Sequence, residues 1–140
     1  MKDKRYRTGF VFMYGKYPSR KWNIIPGEPR IKDIQILKPN KNFKVLIEAY
    51  SNVPYEQEYI ASEDGLYLSE AVKLCVRGLK EMYKEEEKTS SIKEQSITPK
   101  SFVRNQTNGK YQIYGHFLDD LAITDIKVVD GNIIYPFISS

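Results

Sequence analysis

What this 140-residue chain lacks narrows its chemistry before any element is assigned. It holds one cysteine and one histidine, too few for a zinc centre built from about four Cys, His or carboxylate ligands. A lone cysteine, Cys75, can close no intramolecular disulfide, and its place among apolar neighbours makes it a small buried hydrophobe in a reducing compartment. Neither Gly-x-Gly-x-x-Gly nor Gly-x4-Gly-Lys-Ser/Thr occurs, which removes the common phosphate-loop routes to nucleotide-dependent catalysis. There is no Gly-x-Ser-x-Gly either, and so no nucleophile elbow. The basic start is followed by only a short apolar run, Phe10 to Tyr14, too brief for a secretory signal, and no window approaches a membrane span. The expectation is a soluble, cytoplasmic protein without metal, cofactor or membrane contact.

What is present is the material of one globular domain. Hydrophobic residues make up 41% and charged residues 29%, and a chain of this length can bury roughly 70% of its unfolded surface in a single core. Residues 1–140 are therefore read as one domain. Charge is uneven along it: residues 1–50 carry 12 Lys/Arg against 4 Asp/Glu, residues 51–100 carry 7 against 10, and residues 101–140 carry 3 against 4. A basic first third on a nearly neutral remainder points to an acidic partner.

The strongest local pattern is Ser69 to Glu87. Val72, Cys75, Val76, Leu79, Met82 and Tyr83 recur at helical spacing among polar residues, which predicts one amphipathic helix with a single packing stripe. Ser69 reads as its N-cap, with Glu70 in the first turn where the dipole favours negative charge. The run Glu85-Glu86-Glu87 falls at the negative end of that dipole, so the last turn is expected to fray.

Strand patterns surround the helix. Arg5 to Tyr14, Arg20 to Ile25, Ile31 to Leu37 and Phe43 to Tyr50 read as strands broken by Pro, Gly and Asn. Three X-Gly dipeptides between strand-like runs predict hairpins: Asp64-Gly65 feeding the helix, Asn108-Gly109 between 101–105 and 110–117, and Asp130-Gly131 between 121–129 and 132–137. Lys88 to Lys100 is polar and reads as a surface linker. The predicted fold class is α+β, a mainly antiparallel sheet built from hairpins with one principal helix over about 69–87 on one face. Ile31 to Leu37 and Ile123 to Val129 share the pattern Ile-x-Asp-Ile-x-aliphatic-aliphatic, a possible duplicated strand-turn unit.

Candidate chemistry is sparse. His116, near Asp119 and Asp120, is the only side chain suited to proton transfer at neutral pH. A nuclease of the Asp…Glu-x-Lys type would pair Asp33 with such a strand, but the strand reads Glu48-Ala-Tyr50 and lacks the lysine. The basic aromatic N-terminal stretch remains: Arg5, Arg7, Lys16, Tyr17, Arg20, Lys21 and Trp22 mix cations with flat rings. Those residue types populate protein interfaces, and they also grip phosphates while stacking bases. The leading expectation is a non-enzymatic interaction protein that uses this face to bind a protein partner with an acidic surface. The alternative is binding of single-stranded nucleic acid or a nucleotide-like ligand, and a small enzyme using His116 is third. High Lys, Ile, Asn and Tyr content matches the coding bias of AT-rich bacterial genomes, phages and mobile elements. Free strand edges leave homo-oligomerisation open.

Overall fold

The computed structural model describes residues 3–13, 33–95 and 104–140. The chain folds as α+β. Five strands form the main sheet: β1 (Lys4–Phe12), β3 (Asn42–Ile47), β4 (Tyr55–Ile60), β6 (Ala122–Val129) and β7 (Ile133–Ser139), in the order β1-β6-β7-β3-β4. Short strands β2 (Gln35–Leu37) and β5 (Leu66–Tyr67) pair antiparallel as a second, two-stranded sheet. All neighbours in the main sheet are antiparallel except β3 and β7, which meet in parallel register at Lys44↔Ile133 and Val45↔Ile134.

The helix α1 (Leu68–Thr89) lies on one face of the main sheet. All six residues of the sequence-predicted stripe are buried, and they join Phe43, Val45, Ile47, Ile126 and Ile134 in one core cluster. Period-2 burial along β3 sends Phe43, Val45 and Ile47 inward while Lys44 and Leu46 face out. Gly78 lets the helix sit close. A Cβ there would lie 2.8 Å from Ile47 Cδ1 and 2.9 Å from Tyr55 Cε1.

The helix ends differ from the sequence expectation. Ser69 is not the N-cap: Tyr67 is the flanking residue, and Ser69 lies in the first turn. The cap comes from a distant segment. Ser69 donates its N–H to Asp33 Oδ1 (2.9 Å) and its hydroxyl to Asp33 Oδ2 (2.7 Å), while Leu68 N–H reaches Ile34 O (2.8 Å). The Tyr67 N–H goes to Glu70 Oε1 (3.3 Å), the carboxylate half of a capping box. At the other end the helix continues to Thr89 rather than fraying before it. The expected linker therefore starts inside the helix at Lys88 and Thr89, and part of it, residues 96–100, lies outside the described residues.

Of the three predicted hairpins, the Asp130-Gly131 one forms as expected: β6 and β7 pair across it, with φ of 53° at Asp130 and 76° at Gly131. At Asp64-Gly65 a tight turn closes, Gly65 N–H to Ser62 O at 3.0 Å, but its arms part. Strand β4 joins β3 in the main sheet and β5 joins β2 in the small one. Around Asn108-Gly109 no regular hairpin forms among the described residues. Only isolated bridges, Arg104↔Gly115 and Ser51↔Ile113, mark the segment. The reason is a competing acceptor, described below. The two similar segments also diverge: one is a three-residue strand of the small sheet, the other an eight-residue strand of the main sheet.

Candidate functional site

Of the seven basic and aromatic residues singled out from sequence, the structure describes two, Arg5 and Arg7; Lys16, Tyr17, Arg20, Lys21 and Trp22 lie outside the described residues. Both arginines are on β1, one edge of the main sheet in the described strand order. Strand alternation and the register Arg5↔Lys127 and Arg7↔Asp125 put them on the face away from α1.

That outer face can be built outward from β1. Arg5 Nε donates to Asp125 Oδ2 (3.1 Å), and its guanidinium stacks over the Phe137 ring, 4.0 Å from the centroid. Planar guanidinium suits this double engagement better than an ammonium would. Phe137 meets Tyr135 edge-on at 5.7 Å. Burial, followed by the neighbouring Glu48 carboxylate, pushes the Tyr135 hydroxyl above its ordinary pKa. Leu46, Ile133, Tyr135 and Phe137 are all half-buried.

The flanks of this strip differ in charge. Arg5, Arg7 and Lys127 stand on the β1–β6 side, whereas Glu48, Glu56 and Glu58 stand on the β3–β4 side. Each flank also holds the opposite sign: Lys127 is 3.7 Å from Asp3 on the first, and Lys44 is 3.5 Å from Glu56 on the second. An open groove of about 670 Å³ crosses the start of β3 and the end of β4, between Lys44, Glu58, Ile60 and Ile133. Ile60 is 71% exposed beside it.

Among the described residues, the most heavily hydrogen-bonded side chain is one that the sequence did not single out. Glu86, fully buried in the last turns of α1, accepts from the Thr107 hydroxyl and from four amide N–H groups: Gly109 (3.0 Å), Tyr111 (2.8 Å), Gln112 (3.2 Å) and Ile113 (3.3 Å). Burial alone would raise its pKa; donation by Thr107, Tyr111, Gly109 and Ile113 overcomes this and holds it below the ordinary 4.5. Segment 107–113 wraps this carboxylate, so its amides serve Glu86 in place of a hairpin ladder. Arg104, also buried, completes the arrangement. It donates to Ile113 O (2.9 Å), Asn105 O (3.0 Å) and Thr107 Oγ1 (3.3 Å), and its Nε lies 3.5 Å from Glu94. With its hydrogen-bonding capacity turned inward, this network is structural.

His116 is half-buried. Its ring packs against Tyr50 with centroids 4.0 Å apart, and its carbonyl accepts the Tyr83 hydroxyl at 2.9 Å. Among the described residues neither Asp119 nor Asp120 hydrogen-bonds to it; both sit in the 3-10 turn Leu118–Asp120. Cys75 is fully buried, and desolvation pushes its thiol far above the range in which a thiolate forms. Asp33, considered from sequence as a nuclease ligand, is the helix cap. Among the described residues no group of three or more His, Cys, Asp and Glu side chains is placed to hold a metal ion. No described helix is long and apolar enough to cross a membrane. In comparisons with known proteins, no family model, no curated protein and no solved structure matches this chain.

Proposed function

We propose that this chain is a non-enzymatic interaction protein that binds a protein partner across the outer face of its five-stranded sheet. The observation that carries the reading is the one-sided layering: α1 packs on one face, while the other presents half-buried Leu46, Ile133, Tyr135 and Phe137 between oppositely charged flanks. Aromatic residues and arginine are the side chains that concentrate binding energy at protein interfaces. Arg5 is already held by Asp125 and Phe137, so little rotamer freedom is left to lose on docking. The fitting partner sets an apolar ridge against Tyr135 and Phe137 and polar groups against the paired Arg5 and Asp125. An accessory factor of a phage or mobile element, acting in the cytoplasm, is the setting that the coding bias suggests.

Nucleic-acid binding by this face is the weaker reading. Arg5, Lys44 and Lys127 each lie beside a carboxylate, which lowers the potential available to a phosphate chain. Capture from nuclease-treated lysate of the source cell tests both. One stoichiometric partner, lost with Arg5→Glu or Tyr135→Ser and kept with Lys73→Ala on the exposed side of α1, supports the proposal. Capture abolished by nuclease, capture indifferent to both face variants, or no capture overturns it. Sedimentation of the free protein identifies the case in which the partner is a second copy, provided the same face variants dissolve the dimer. Folded stability of each variant is checked by thermal melting.

A further inference from the structure

On the opposite side of the sheet from that face, three lysines converge on a cleft with no carboxylate among its described lining residues. Lys4 opens β1, and Lys38 and Lys41 flank the turn after β2; the cleft between them has a volume of about 390 Å³. Its apolar walls come from Tyr6, Leu37 and Val128. Tyr6 and Val128 share the inward face of β1 and β6, so the cleft opens between the main sheet and the small one.

Arg5, Lys44, Arg104 and Lys127 all have a carboxylate within 4 Å, whereas among the described residues Lys4, Lys38 and Lys41 have none. Two acidic residues adjoin the lining in sequence, Asp3 beside Lys4 and Asp130 beside Gly131, and Asp3 is engaged elsewhere: its carboxylate accepts the Asp130 N–H at 3.1 Å and faces Lys127. Three like charges around one concavity repel one another, and low-dielectric walls focus their field into it. An anion there relieves the repulsion. The backbone that carries two of the lysines is fixed, since Asn40 N–H reaches Ser62 O (3.1 Å) and Ala61 N–H reaches Lys41 O (2.9 Å). The cleft is also large enough for a small ligand, for which sites span about 300–1,000 Å³.

We propose that this cleft binds a small phosphorylated ligand of nucleotide size, its phosphates held by Lys4, Lys38 and Lys41 and its planar or apolar body lying against Tyr6, Leu37 and Val128. Lysine is a point-charge phosphate binder and needs no bidentate geometry. The apolar wall separates this site from a simple polyanion patch, because it adds a contact that bare phosphate cannot make. The site is independent of the outer face.

Isothermal titration of the full chain with ADP, with inorganic pyrophosphate and with a dodecameric oligonucleotide tests the proposal at about 50 mM and about 200 mM salt. Saturable one-to-one binding of ADP is expected, weakened about tenfold or more by Lys38→Gln with Lys41→Gln. Tyr6→Leu should weaken ADP while leaving pyrophosphate unchanged. Lys80→Gln with Lys84→Gln, on the helix, should alter neither. Absence of saturable ADP binding, equal weakening by the helix pair, or tighter binding of the oligonucleotide than of ADP overturns the proposal. The lysine variants remove exposed or half-exposed charges, so folding is retained and loss of binding reports the site.

Discussion

Two carboxylates hold α1, one at each end, and they work in opposite ways. Asp33 is exposed, belongs to another segment, and accepts two hydrogen bonds from Ser69 in the first turn. It acts with the helix dipole. Glu86 is buried, belongs to the helix itself, and stands in the last turns, where the dipole disfavours negative charge. It is stabilised there only because five donors from residues 107–113 surround it. The difference shows that a helix terminus can be an organiser of the chain around it: Asp33 finishes the helix, whereas the helix, through Glu86, shapes a loop.

The comparison can be broken most forcefully at Glu86. Glu86→Ala leaves four amides and the Thr107 hydroxyl without their common acceptor and should cost about 3–5 kcal/mol in urea unfolding; a cost near that of an ordinary surface change would show that the loop orders itself. Between the two ends lies Gly78, where added bulk meets Ile47 and Tyr55. Gly78→Ala should cost about 1–3 kcal/mol through overpacking, even though alanine favours helix. Asp33→Ala, at the exposed end, should cost about 1 kcal/mol, the usual scale of a lost cap. The smallest effect is a pH dependence. Because the folded-state pKa of Glu86 is depressed below 4.5, its contribution is fully present above that value and is lost as pH falls through the lower, folded-state pKa. Acid titration of stability should therefore be shallower in Glu86→Ala than in the parent chain.

What the sequence made legible follows from the range of the interactions. The stripe from Val72 to Tyr83 was readable because helical periodicity is local, and the β6–β7 hairpin because Asp130-Gly131 has the backbone freedom its turn requires. Glu86 was misread as part of a fraying acidic run because its partners lie 21 to 27 residues away. Asn108-Gly109 misled for the same reason: neither residue takes the positive φ of a tight hairpin turn, and the amides from Gly109 onward are claimed by that distant carboxylate. Ser69 carried a capping signature, yet Asp33, 36 residues upstream, supplies the cap. For the site, sequence pointed to the basic N-terminal third and to Arg5 and Arg7, but it could not show that Arg5 is neutralised by Asp125, or that Lys4, Lys38 and Lys41 would surround one cleft. Those facts depend on pairings such as Lys4↔Val128 that no local pattern encodes.

The placement of β7 has a bearing on how the molecule is made. It lies between β6 and β3, joining the β1–β6 half to the β3–β4 half. During synthesis β1, β3, β4 and α1 all leave the ribosome before the strand that unites them. Until residues 133–139 are available, the core-facing side chains of both halves have no common sheet to close over them. Nascent chains of this topology spend that interval with apolar surface uncovered, the condition in which chaperones engage a growing chain.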